Sequence, residues 1–120
     1  MSRQQSLEQK RARAAWDAVT TVQQNKEYLS LARNAPADIQ ISGLGQTLSF
    51  WLAKNKPEHQ ALYKHVSDWV IKQLGINRSN LMDWIMNEAS SQQYRHATNE
   101  ALAFLVWVKR FAQAAEEAKG

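Results

Sequence analysis

Few side chains in this sequence could carry chemistry. His59, His65 and His96 are the candidate metal ligands and general bases. Two histidines four residues apart on a helix would aim both rings at one ion, and no pair here has that spacing. Solvated or hydrogen-bonded surface histidines are therefore expected. Asp83 and Glu88 lie five apart, which turns them to different sides of a helix and makes a poor acid–base pair. Cysteine is absent, which excludes a thiol nucleophile, thiolate-bound zinc and disulfides. Gly43-Leu44-Gly45-Gln46 resembles the start of a phosphate-binding loop, but the third glycine, the preceding strand and the lysine are missing. Small residues that let two helices approach closely account for it better. No catalytic residue, metal or cofactor is expected.

Basic residues are more informative. On the first helical segment Arg3, Lys10 and Arg13 fall opposite an apolar stripe, with Arg11 at its edge. They could reach a polyanion together, or Arg13 could simply pair with Asp17 four residues on. On the last segment Arg95, Asn99 and Arg110 project away from the apolar stripe, and Lys109 flanks it. Here too a solubilising surface is the alternative. The tryptophans sit at core spacing, so aromatic platforms for stacked bases are not evident. Any RNA contact is expected at the backbone, without sequence reading.

The elements that must position these residues read as helices throughout. Ser6 is a candidate cap for a helix running into the mid-twenties, with Ala12, Ala15, Trp16, Val19 and Val22 on one stripe. A short helix from Lys26 to Arg33 is predicted to end before Pro36, which then opens the next segment. Gly43 and Gly45 mark a bend or close helix contact before a helix through about Lys54. Pro57 and Glu58 start another helix, which buries Leu62, Val66, Trp69 and Val70 and stops at Gly75. Asn77 or Ser79 caps a shorter helix carrying Leu81, Trp84 and Ile85. Ser91 is the candidate cap for the last and longest helix, striped by Tyr94, Ala97, Ala101, Leu105, Val108 and Ala112. Leu102, Val106 and Trp107 lie off that stripe, so this helix is either central or covered by a partner. The expectation is an all-α fold: a compact bundle of about five or six helices in one domain spanning residues 1–120.

Composition agrees. A chain of 120 residues with 44% hydrophobic residues and five tryptophans can build a core without staples. The N-terminus shows no apolar signal-peptide region, and the apolar run Ala101 to Val108 is too short for a bilayer. A cytoplasmic protein away from membranes is expected. The net charge of +4 favours an anionic partner, with nucleic acid first in line.

Three stretches carry a family resemblance. They are Leu7-Glu8-Gln9-Lys10-Arg11-Ala12, then Gly43-Leu44-Gly45-Gln46-Thr47-Leu48-Ser49-Phe50, and the run from Tyr94-Arg95-His96-Ala97-Thr98-Asn99 to Lys109-Arg110-Phe111-Ala112. In order and spacing they resemble the Cmr-family small subunit, the fifth Cmr protein of CRISPR type III-B effectors. The region from Pro57 to Glu88 matches only in length and helical character. The resemblance implies an all-helical, non-catalytic subunit that stacks with copies of itself along a ribonucleoprotein filament in antiviral defence. Other Cmr subunits would hold the guide RNA and cut the target, while this one helps hold the target strand along a positive groove. Carried onto this sequence, it favours Lys10, Arg11, Arg95, Lys109 and Arg110 as RNA-facing, with Arg3 and Arg13 added from charge placement. Gly43, Gly45 and Gln46 are expected in helix packing or subunit contact, and Leu102 with Val106 in protein docking. The residues alone also allow a purely structural adaptor or a small hydrolase with an unorthodox site.

Overall fold

The computed structural model describes residues 5–119, which form six helices: α1 Leu7–Thr20, α2 Lys26–Ser42, α3 Leu44–Lys54, α4 Pro57–Leu74, α5 Leu81–Asn87 and α6 Ser91–Lys119. The all-α expectation holds. At 1.5 Å per residue α6 is about 44 Å long, close to the 47 Å longest dimension of the molecule. It packs against α1, α2 and α4, while α3 rests on α2, α4 and α5. Its buried stripe contains Ala97, Ala101, Phe104, Leu105, Val108 and Ala112. Alanines on α6 meet a neighbour, α2, that itself buries Ala32 and Ala35, so the two backbones can lie close.

Local signals explain most helix ends. Ser6 and Gln9 form a reciprocal capping box at the start of α1. Gly75 ends α4 in the left-handed region, φ 65°, where an L side chain would be strained. Gly43, with φ 88°, both ends α2 and begins α3. The two later caps differ from the expected ones. Ser90, not Ser91, exchanges hydrogen bonds with Gln93 at the start of α6. Asn80, not Asn77 or Ser79, accepts from the Asp83 amide at α5. The two preceding α5 amides are satisfied by α4: Leu81 N–H donates to Ser67 Oγ at 2.9 Å and Met82 N–H to Tyr63 Oη at 3.1 Å. A seven-residue helix is thus pinned through its first turn by its neighbour.

Further expectations fail, beginning with α1, which stops at Thr20 short of the mid-twenties. α2 does not stop before Pro36 but runs through it for 17 residues. A proline inside a helix costs about 3 kcal/mol. An unbroken α2 keeps Tyr28, Leu29, Ala32, Ala35 and Ile39 buried in one line, and each large apolar side chain buried is worth about 2 kcal/mol. Tertiary burial outweighs the local penalty. The tryptophans also do not all point inward. Trp51, Trp69 and Trp84 are buried, Trp107 is partly so, and Trp16 is 47% exposed. α1 is held through Ala15, Ala18 and Val19 instead, which leaves Trp16 at the rim against Phe111.

Candidate nucleic-acid interface

α1 and α4 lie on the same helix, α6, with a groove between them. Ala14 and Ala18 from α1, Trp69 from α4 and Phe104 from α6 line it. Trp69 lies nearly parallel to Phe104, with centroids 5.6 Å apart and planes 15° apart. Lys10 and Arg13 from α1 and Lys72 from α4 stand around the open part of this groove, all three exposed. Its two carboxylates are already engaged: Asp17 lies 3.5 Å from Arg13, and Asp68 accepts from Lys64 at 2.9 Å. Lys10 and Lys72 make no ion pair among the described residues, so the groove margin is positive.

The expected cations do not form one surface. Lys10 and Arg13 come together at the groove. Arg95 and Arg110 occupy the outer face of α6, exposed and in register with Asn99 and Val106, while Lys109 is half-buried at the edge of that face. Arg3 lies outside the described residues. Arg11 does not stand outward. Its Nε and Nη2 each donate to Glu100 at 2.8 Å, and its Nη1 donates to Glu8 at 2.9 Å. Its side chain is 18% exposed and that of Glu100 only 4%. The hydrogen bond to Glu100 raises the guanidinium pKa above its ordinary value, so Arg11 is an internal strut rather than an RNA contact. Trp69 Nε1–H donates to the same carboxylate at 2.9 Å. Burial pushes the Glu100 carboxyl up, but hydrogen bonds from Arg11 and Trp69 together outweigh it and hold the group below the usual carboxylate range.

Of the residues expected in helix packing or subunit contact, the two glycines serve helix packing. Gly43 and Gly45 turn inward to Tyr94 of their own chain: the Gly45 amide donates to Tyr94 Oη at 2.8 Å, and a Cβ on Gly45 would lie 3.3 Å from that oxygen. Leu102 packs against the core, Gln46 is open to solvent at the edge of α3, and Val106 is exposed.

Of the groups that resembled catalytic candidates, Asp83, Glu88 and His65 are tied up, whereas the buried His59 Nδ1 has no hydrogen-bond partner among the described residues. Arg78 bridges Asp83 and Glu88 at 3.0 and 2.8 Å. His65 Nδ1 shares a 2.7 Å hydrogen bond with Tyr28 Oη, and burial lowers the imidazole pKa. Among the described residues no three His, Asp or Glu side chains cluster to hold a metal, and no helix is long and apolar enough to cross a membrane.

Lys72 is a margin residue that the sequence expectations do not include, because on α4 they concern only the buried stripe. The available signal was a lysine on the polar face opposite Leu62, Val66 and Val70, although its approach to Lys10 depends on how both helices seat on α6.

The six-helix arrangement has a solved counterpart. The X-ray crystal structure of a CRISPR-associated Cmr5 family protein from Thermus thermophilus superposes with a TM-score of 0.77 at 29% identity, covering 93% of this chain and 98% of that one. In sequence, the CRISPR system Cmr subunit Cmr5 of Thermus thermophilus is 34% identical over 88 residues, 73% of this chain and 74% of its own length. The family described as CRISPR-associated protein (Cas_Cmr5) matches residues 7–115. These likenesses define a subunit of the CRISPR Cmr system. The chain belongs to the Cmr5 family, the small subunit of type III-B complexes.

Proposed function

We propose that this chain is a non-catalytic small subunit that stacks with its own copies in a cytoplasmic Cmr ribonucleoprotein and holds RNA by its backbone, in antiviral defence. The observation that carries the RNA contact is the groove margin, where Lys10 and Lys72 are exposed with no carboxylate partner among the described residues and Arg13 is 71% exposed. Arg95, Lys109 and Arg110 on α6 form a second basic strip that a strand or a neighbouring subunit can use. Val106 and Gln46 are the exposed residues offered to protein contact.

The mechanism is electrostatic. Each phosphate neutralised releases counterions, which makes binding weaken steeply with salt. One copy with about three contacts binds weakly, and copies aligned on one strand gain by effective concentration. The engagement of Asp83, Glu88 and His65 with partners inside the chain supports leaving strand cleavage to other subunits.

The test reverses Lys10, Arg13 and Lys72 to Glu in the reconstituted complex, with Lys54→Glu as the control on a different helix. RNA retention should drop in the triple variant as salt rises and remain normal in the control. Equal retention by the triple variant, the control and the unaltered complex would remove the groove from RNA binding.

A further inference from the structure

We infer that Trp16 is a stacking platform for an unpaired base of single-stranded RNA. This extends the backbone-only reading above and rests on it. The indole is 47% exposed, although tryptophan is the side chain with most to gain from burial. Its sole aromatic neighbour among the described residues is Phe111, at 5.2 Å between centroids and 82° between planes. An edge-on contact covers little of the indole, and its exposed part can accept a ring. Trp69 makes the contrast, since it lies flat on Phe104 and is buried, with no face to offer.

The platform is braced from behind. Phe111 also contacts Trp107, at 5.9 Å and 33°, so three aromatic side chains from α1 and α6 hold one another in place. Cations bracket it. Arg13 lies one helical turn before Trp16, on neighbouring parts of the α1 surface. Arg110 shares a recess with Trp107, Val106, Ala103 and Glu8, and makes no ion pair among the described residues. An exposed aromatic face with an arginine one turn away on α1 and another on α6 suits a strand whose base stacks while neighbouring phosphates meet the guanidinium groups. A second copy, itself carrying a net charge of +4, would bring like charge towards both arginines, whereas phosphates neutralise them. The geometry therefore favours RNA over a second copy of the chain.

The test uses the full chain at low ionic strength, where weak electrostatic binding becomes measurable. Two probes are compared: a short oligoadenylate and an abasic ribose-phosphate strand of equal length. Trp16→Ala should weaken oligoadenylate binding about tenfold, within the range for loss of one stacked base, and leave the abasic strand unaffected. Trp16→Phe, which keeps a ring, should retain most of the binding, and circular dichroism confirms that each variant folds. Arg13→Glu and Arg110→Glu should weaken both probes. Charge-dependent binding of both probes with no effect of Trp16→Ala would overturn the stacking inference and leave the backbone reading standing. A Trp16→Ala variant that binds oligoadenylate normally but loses self-association in sedimentation would assign the platform to a second copy. No binding of either probe by the unaltered chain would overturn both.

Discussion

Arg11 and Glu100, 89 positions apart, are joined by two hydrogen bonds of 2.8 Å each, from Nε and Nη2 to the two carboxylate oxygens. The fork binds α1 to α6, and Trp69 adds α4 through the same carboxylate. Removing one member of a buried pair leaves the other charge without compensation. Arg11→Ala should therefore destabilise the fold by about 3 kcal/mol, read as a lower urea midpoint. Arg11→Met combined with Glu100→Gln should recover much of that loss. A loss of RNA in an Arg11 variant consequently reports on the fold, not on a phosphate contact.

The Tyr94 hydroxyl acts as a cap supplied from another helix. It accepts from the Gly45 amide in the first turn of α3, where Gly43 has no side chain to do so. Tyr94→Phe should cost about 1 kcal/mol with an unchanged helical signal. Gly45→Ala should not gain the stability that alanine normally brings to a helix, because its Cβ would press on the same oxygen. Urea titration of the two variants checks both statements.

Two pH windows should appear in stability. His65 is lowered by burial, with Asp68 partly opposing and Lys64 adding to the shift. Its contribution is complete above the unfolded value of about 6.5 and fades as pH falls through the lower folded value. Glu100 is also held low in the folded chain, so its contribution is complete above about 4.3 and is lost at still lower pH. Thermal midpoints should decline in two steps on acidification. His65→Gln should remove the upper step alone and Glu100→Gln the lower one.

What was legible in the sequence was local. The Ser6 cap, the Gly75 stop, the Gly43 break and the buried stripe of α4 follow from capping, backbone freedom and periodicity, whereas the return bond from Gln9 was not among the expectations. Pro36 misled because its penalty is local while the burial that overcomes it comes from α6. Trp16 fails for a different reason: helical spacing places it on the stripe, but α1 seats on Ala15, Ala18 and Val19. The candidate site was half visible. Lys10 and Arg13 share a helix and could be paired from spacing, whereas Lys72 joins them only through packing. Arg11 sits at the edge of the stripe by spacing, the family resemblance groups it with Lys10, and only its partner across the bundle shows that it turns inward.

The central claim is that Lys10, Arg13 and Lys72 meet RNA phosphates. Its most direct test is the slope of log binding constant against log salt for the complex with all three cations replaced by alanine. Each single-strand phosphate contact contributes about −0.7 to that slope, so the triple variant should flatten it by about 2 per copy engaged. An identical slope in the variant and the unaltered complex would contradict the account.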